Sequence, residues 1–157
     1  MKKTIVLGIG NPILQDDGVG IHVANELKKH IIDRPDVTID SAFTGGMNLL
    51  DMMVDHDRAI LIDAVKLRDK KPGDVDMFEL GELSAFHTNN PHDVSLPQAI
   101  EMAKRLGERR IPDDIKLVGI NLGELPYEFG ENLSIEIKKA VPKAVKLVKE
   151  EVKKDYE

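Results

Sequence analysis

Two adjacent carboxylates, Asp16 and Asp17, follow an apolar segment that ends in Gly8-Ile9-Gly10-Asn11, and they precede Gly18-Val19-Gly20. A third carboxylate, Asp63, interrupts the apolar run Leu61-Ile62-Asp63-Ala64-Val65. An imidazole, His92, stands in Asn89-Asn90-Pro91-His92-Asp93. Two carboxylates and one imidazole suit a divalent transition metal such as nickel, zinc or iron(II), and three protein ligands leave coordination positions for a substrate. A carboxylate within an apolar strand is costly to bury without a partner, which singles out Asp63. Each residue also has an ordinary structural use. Asp17 suits the N-cap of the following helix, and Asp16 suits the same cap or a supporting position. Asp63 can accept backbone N–H bonds, and His92 can cap a helix or sit on the surface. His87 is a weaker candidate in the same loop, while His22, His30 and His56 fall at exposed helical positions and receive no role.

The elements that must position these groups alternate between strand and helix patterns. Thr4 to Gly8 reads as a continuous apolar strand, as expected where both faces are covered. Val19 to His30 places Val19, Val23, Ala24 and Leu27 at helical spacing. Asp36 to Ser41 is a second strand, Thr44-Gly45-Gly46 a turn, Met47 to Val54 a short helix, and Ala59 to Val65 a third strand. Val75 to Leu80 alternates like an edge strand after the turn Lys71-Pro72-Gly73-Asp74. Ser95-Leu96-Pro97-Gln98 has capping-box spacing and opens a helix to Leu106, stopped by Gly107. Ile115 to Ile120 is a further strand, and Leu133 to Lys154 is a terminal amphipathic helix that Pro142 should kink or split.

This alternation predicts an α/β fold, a three-layer sandwich with a mostly parallel twisted sheet of about five strands and helices on both faces. Residues 1–157 are read as a single domain. In such a sheet the carboxyl ends of the strands open onto one crevice. Asp16, Asp17, Thr44 to Gly46, Asp63 and His92 should then converge at one rim, with Phe43, Met47 and the 84–92 loop flanking an exposed groove.

Composition removes several classes. A net charge of −6 argues against a nucleic-acid surface. No apolar stretch is long enough to span a membrane, and the N-terminus lacks the apolar length of a signal peptide, so a cytoplasmic protein is expected. The chain has no cysteine, which excludes disulfides, thiolate metal sites and a cysteine nucleophile. No serine stands in a Gly-x-Ser-x-Gly pattern. A phosphate-cradling loop is disfavoured: Ile13 stands where the dinucleotide fingerprint needs its third glycine, and Pro12 has no N–H to donate.

The segment Gly8 to Gly20, the run Thr44-Gly45-Gly46-Met47 with Leu49-Leu50, the segment Leu61-Ile62-Asp63-Ala64, and the Pro91-His92 loop with Leu96 together resemble the hydrogenase maturation proteases. The resemblance implies an endopeptidase that removes a C-terminal extension from the precursor of a nickel–iron hydrogenase large subunit after nickel insertion. It places the metal-contacting positions on Asp17, Asp63 and His92, with Asp16 or another carboxylate as a candidate base for the attacking water. It also implies that nickel arrives with the substrate, although zinc or cadmium could substitute in a crystal. The alternative is a non-proteolytic nickel-binding chaperone or checkpoint protein that uses the same three ligands.

Overall fold

The computed structural model describes residues 2–31, 33–43, 46–67, 69–79, 96–123 and 129–154, with the backbone alone at 46–48. In chain order the strands and helices are β1 (Thr4–Ile9), α1 (Val19–His30), β2 (Val37–Ala42), α2 (Gly46–Met53) and β3 (Arg58–Val65). They continue as β4 (Val75–Glu79), α3 (Leu96–Arg105), β5 (Asp114–Asn121) and α4 (Ile135–Lys153). A single 3-10 turn, Gln15–Gly18, leads into α1. The strands form one sheet in the order β2-β1-β3-β5-β4. All neighbours are parallel except β4, which pairs antiparallel to β5 at the edge. This is the α/β architecture expected from the alternation of patterns.

Strand parity sorts the core into two layers. Ile5, Leu7, Ala59, Leu61, Ile115 and Leu117 face α2 and α3, where they meet Leu49, Leu50, Met53, Leu96 and Ile100. Val6, Ile60, Ile62, Val118 and Ile120 face α1 and α4, where they meet Val23, Leu27, Ile137, Val145 and Val148. Because β1 and β3 are covered on both faces, their central runs Ile5 to Leu7 and Ala59 to Ile62 are apolar rather than alternating. Pro142 lies inside α4, yet α4 is one continuous helix. Pro142 sits on the solvent side, and the buried stripe Ile137, Ala140, Ala144, Val145, Val148 continues across it. The helix-splitting alternative is thus overridden by packing. The capping-box Ser95 lies outside the described residues.

The order β2-β1-β3 sends the chain from β1 first to one side and then to the other. The gap between the carboxyl ends of β1 and β3 is therefore the topological switch point, where such sheets open a crevice. The start of α1 closes tightly over this gap. A Cβ on Gly8 would stand 2.2 Å from the carbonyl oxygen of Gly20, and a Cβ on Gly20 would stand 2.2 Å from that of Ile62 and 2.5 Å from that of Ile9. Only a side chain of hydrogen lets α1 start this close to two strands at once.

At the opposite end of the sheet lies a buried ionic cluster. The Arg58 guanidinium donates to the Glu151 carbonyl at 2.9 Å and to the Thr4 hydroxyl at 3.2 Å. The Glu151 carboxylate accepts from Lys116 and from Lys154. Burial opposes ionisation of Glu151, but its bonds to Lys116 and Lys154 prevail and hold its carboxyl below the usual range. The cluster joins β1, β3, β5 and the end of α4. No helix among the described residues is long and apolar enough to cross a membrane.

Two outcomes test these contacts. Gly20→Ala should destabilise the fold by about 3 kcal/mol in urea unfolding, because both clashing atoms are backbone. On helix propensity alone the same change would stabilise by about 1 kcal/mol, so the sign of the effect is diagnostic. Glu151→Gln should cost about 3 kcal/mol at neutral pH. Since folding lowers this carboxyl's affinity for protons, its stabilisation is present above the ordinary glutamate range and is lost as pH falls through the lowered value. The difference between the variant and the parent chain should shrink accordingly in acid.

Candidate functional site

The loop from Gly10 to Gly18 is shaped by its own polar groups. Gly10 has φ +155°, a conformation that side chains other than hydrogen rarely adopt, and a Cβ there would stand 2.2 Å from the Asp17 carbonyl oxygen. The Asp17 carboxylate turns back and accepts the Asn11 N–H at 2.9 Å. The Asn11 side-chain oxygen in turn accepts the Ile13 N–H at 3.2 Å. Asp17 is not the cap of α1; that position is Gly18, which makes no side-chain cap bond. The carboxylate is thereby held at the rim of the crevice, half-buried.

Asp63 reaches the same rim from β3. It shares the strand face of Ala59 and Leu61, one step beyond their apolar cluster, with Gly119 of β5 as its register partner. One oxygen accepts the Ala64 N–H at 2.8 Å. Burial, reinforced by the negative charge of Asp17, pushes the Asp63 carboxyl well above its usual range, against the pull of the Ala64 N–H. Burial also raises Asp17, opposed by the Asn11 N–H and by the positive charge of Lys66. The structure therefore brings Asp17 and Asp63 within electrostatic reach of each other. Two anionic groups that each resist ionisation favour a cation placed between them.

Asp16 takes a different course. It is buried, and its carboxylate accepts the Ser134 N–H at 2.7 Å, at the start of α4. Its oxygen serves a supporting tie, one of the two uses its sequence position suggested. The same region is bound by Gln15 N–H to the Gly130 carbonyl and Gly130 N–H to the Ile13 carbonyl, both at 2.8 Å. Gln15 itself adopts φ +44°, a strained conformation held by these flanking bonds. Nothing in the local sequence announced that residues 130–134 would clamp the loop. His92, His87, Thr44 and Gly45 lie outside the described residues, and among the described residues no group of three His, Asp or Glu is arranged to hold a metal.

Behind the rim, Asn121 is the missed organiser. It is buried at the end of β5 and its side chain accepts the Leu67 N–H at 2.9 Å and donates to the Lys71 carbonyl at 3.2 Å. These bonds fix the chain that follows β3 and carries Lys66. A groove of ≈ 820 Å³ between α1 and α4 is lined by mixed charges, among them Glu26, His30, Lys146 and Lys149, and it does not contain Asp17 or Asp63.

The raised affinity of Asp63 for its proton has a measurable consequence. Below the ordinary aspartate range both folded and unfolded chains carry the proton, and the group is neutral to stability. As pH rises above that range the unfolded chain ionises freely while the folded chain resists, so stability falls. Asp63→Asn keeps an acceptor for Ala64 and cannot ionise. It should be more stable than the parent chain in urea unfolding at pH 8, with the gain vanishing toward about pH 4.

The hydrogenase maturation protease profile matches residues 21–151 of this chain, a span that includes Asp63 and begins just after Asp17. The hydrogenase 2 maturation protease of Escherichia coli is 29% identical over 136 residues, covering 85% of this chain and 82% of that protein. The structure is similar to that of the hydrogenase maturating endopeptidase HybD from Escherichia coli, with a TM-score of 0.83 at 25% identity, covering 98% of this chain and 93% of that one. It also matches the [NiFe] hydrogenase maturation protease HybD from Thermococcus kodakarensis, with a TM-score of 0.67 at 25% identity over 94% and 97% of the two chains. A matched span covering most of the sequence, and a fold shared over nearly its whole length, establish that this chain belongs to the hydrogenase maturation protease family, a family of peptidases.

Proposed function

We propose that this protein is the endopeptidase that removes the C-terminal extension from the precursor of a nickel–iron hydrogenase large subunit once nickel has been inserted. The observation that supports the reading is the place of Asp17 and Asp63 beside the β1–β3 switch point, where burial raises both carboxyls and the charge of Asp17 adds to the effect on Asp63. Such a pair gains most from a divalent cation brought to it by a partner. His92 is the proposed third contact. The relatives' names point to a hydrogenase as the partner, and the resemblance in sequence supplies the large-subunit precursor and its C-terminal extension.

In this reading nickel belongs to the substrate. Asp17, Asp63 and His92 grip the nickel of the precursor and thereby fix the tail beside it, which converts hydrolysis of one peptide bond into a positioned reaction. Water adds its oxygen to the scissile carbonyl carbon. The C–N bond then breaks, the new carboxylate stays on the mature subunit, and the proton passes to the departing amine. With no cysteine in the chain, an attacking thiolate is absent. One Asp16 oxygen is tied to Ser134, and Asp16 or another carboxylate that does not hold the nickel takes the proton of water.

The test is the mass of a nickel-loaded precursor after incubation with the purified protein. A loss equal to the C-terminal extension is expected, and nickel-free precursor should stay intact. Asp17→Asn, Asp63→Asn and His92→Ala should each lower the rate at least ~100-fold while unfolding remains cooperative. Nickel binding with no change of mass would instead identify a chaperone and sink the proposal.

A further inference from the structure

Three large apolar side chains stand exposed around the Asp17 loop. Phe43 is 64% exposed, Ile13 53% and Phe129 85%. Single exposed apolar residues are ordinary on any protein surface. These three are different because their segments are bonded to one another. The Ala42 carbonyl, just before Phe43, accepts the Gly10 N–H at 3.1 Å. The Gly130 N–H, just after Phe129, donates to the Ile13 carbonyl at 2.8 Å. Between them, Asn11 bonds both Ile13 and Asp17. One hydrogen-bonded frame thus carries Phe43, Ile13 and Phe129 on segments tied to the turn that positions the Asp17 carboxylate.

We infer that Phe43, Ile13 and Phe129 form an apolar lip on which the folded large-subunit precursor docks, an inference that rests on the function proposed above. The lip adjoins the carboxylate pair, so a folded protein that presents its metal to Asp17 and Asp63 covers it on the way. A small ligand would reach the pair without touching side chains that point into solvent. A second copy seated on the lip would cover the very site the precursor must enter. Burying two phenylalanines and an isoleucine against an apolar patch of the precursor supplies affinity, while the two carboxylates supply the check for metal. Docking and metal reading are then separate contacts on one rim.

The experiment compares the parent chain with Phe43→Ser, Ile13→Ser, Phe129→Ser and the triple variant. Met102→Ser on α3 and Leu106→Ser just after it are controls, which remove comparably exposed apolar groups away from the rim. Cleavage of nickel-loaded precursor is followed over a range of precursor concentrations, and binding of the same precursor is measured by calorimetry. Each phenylalanine variant should raise KM and Kd roughly tenfold, with kcat within about twofold and thermal midpoints unchanged, and the controls should match the parent. Unchanged KM and Kd in the triple variant, with the parent chain cutting normally, overturns the lip and leaves the proposed function standing. A parent chain that neither binds nor shortens the precursor overturns both. A parent dimer that the triple variant dissolves assigns the lip to a second copy and overturns the inference as well.

Discussion

The close approach of backbone to backbone at Gly8, Gly20 and Ile62 is the constraint on which the site depends. It sets the distance between the start of α1 and the strands beneath it. A methyl group at position 20 would press on two strand carbonyls, and the helix would have to lift. The 3-10 turn that carries Asp16 and Asp17 is attached to that helix start, so its height above β3 follows from the glycine contact. Asp17 is therefore carried toward the end of β3, where Asp63 lies, because two backbones can touch.

The two ends of the sheet treat charge in opposite ways. At the amino-terminal end, Arg58, Lys116 and Lys154 surround Glu151, and its ionised form is favoured. At the carboxyl-terminal end, burial works against ionisation of both Asp17 and Asp63, the charge of Asp17 adds to that effect on Asp63, and the positive charge of Lys66 offsets it on Asp17. The first arrangement contributes stability. The second costs stability as the carboxyls ionise, and a bound cation would relieve that cost.

The segment 129–134 links the site to the rest of the fold. Its bonds to Ile13, Gln15 and Asp16 clamp the loop against the start of α4, and α4 ends at the ionic cluster on the opposite side. The loop is thus rigidly carried, although it is irregular backbone with a positive φ at Gln15. A rigid frame holds the Asp17 carboxylate at fixed geometry beside the end of β3. It also holds Ile13 and Phe129 outward where solvent would not otherwise favour them.

The amphipathic periods of the sequence determined the layers. Helix α1 runs over the span its spacing indicated, β4 is an edge strand, and the apolar runs of β1 and β3 lie at the centre of the sheet. These features are legible because each depends on neighbours a few residues apart. An isolated carboxylate in an apolar run marked Asp63, and a Gly-x-Gly-Asn turn marked Asp17, for the same local reason. Tertiary structure alone decided that Asp16 binds Ser134 rather than facing the crevice, since the partner lies 118 residues away. It alone buried Arg58 beside Glu151, placed Asn121 behind the rim, and gathered Phe43, Ile13 and Phe129 on one frame. Of the kink or split that Pro142 suggests in sequence, the split is overruled by the packing of α4 on its layer. Periodicity records which face a residue presents; which distant residue that face meets is fixed only when the chain closes on itself.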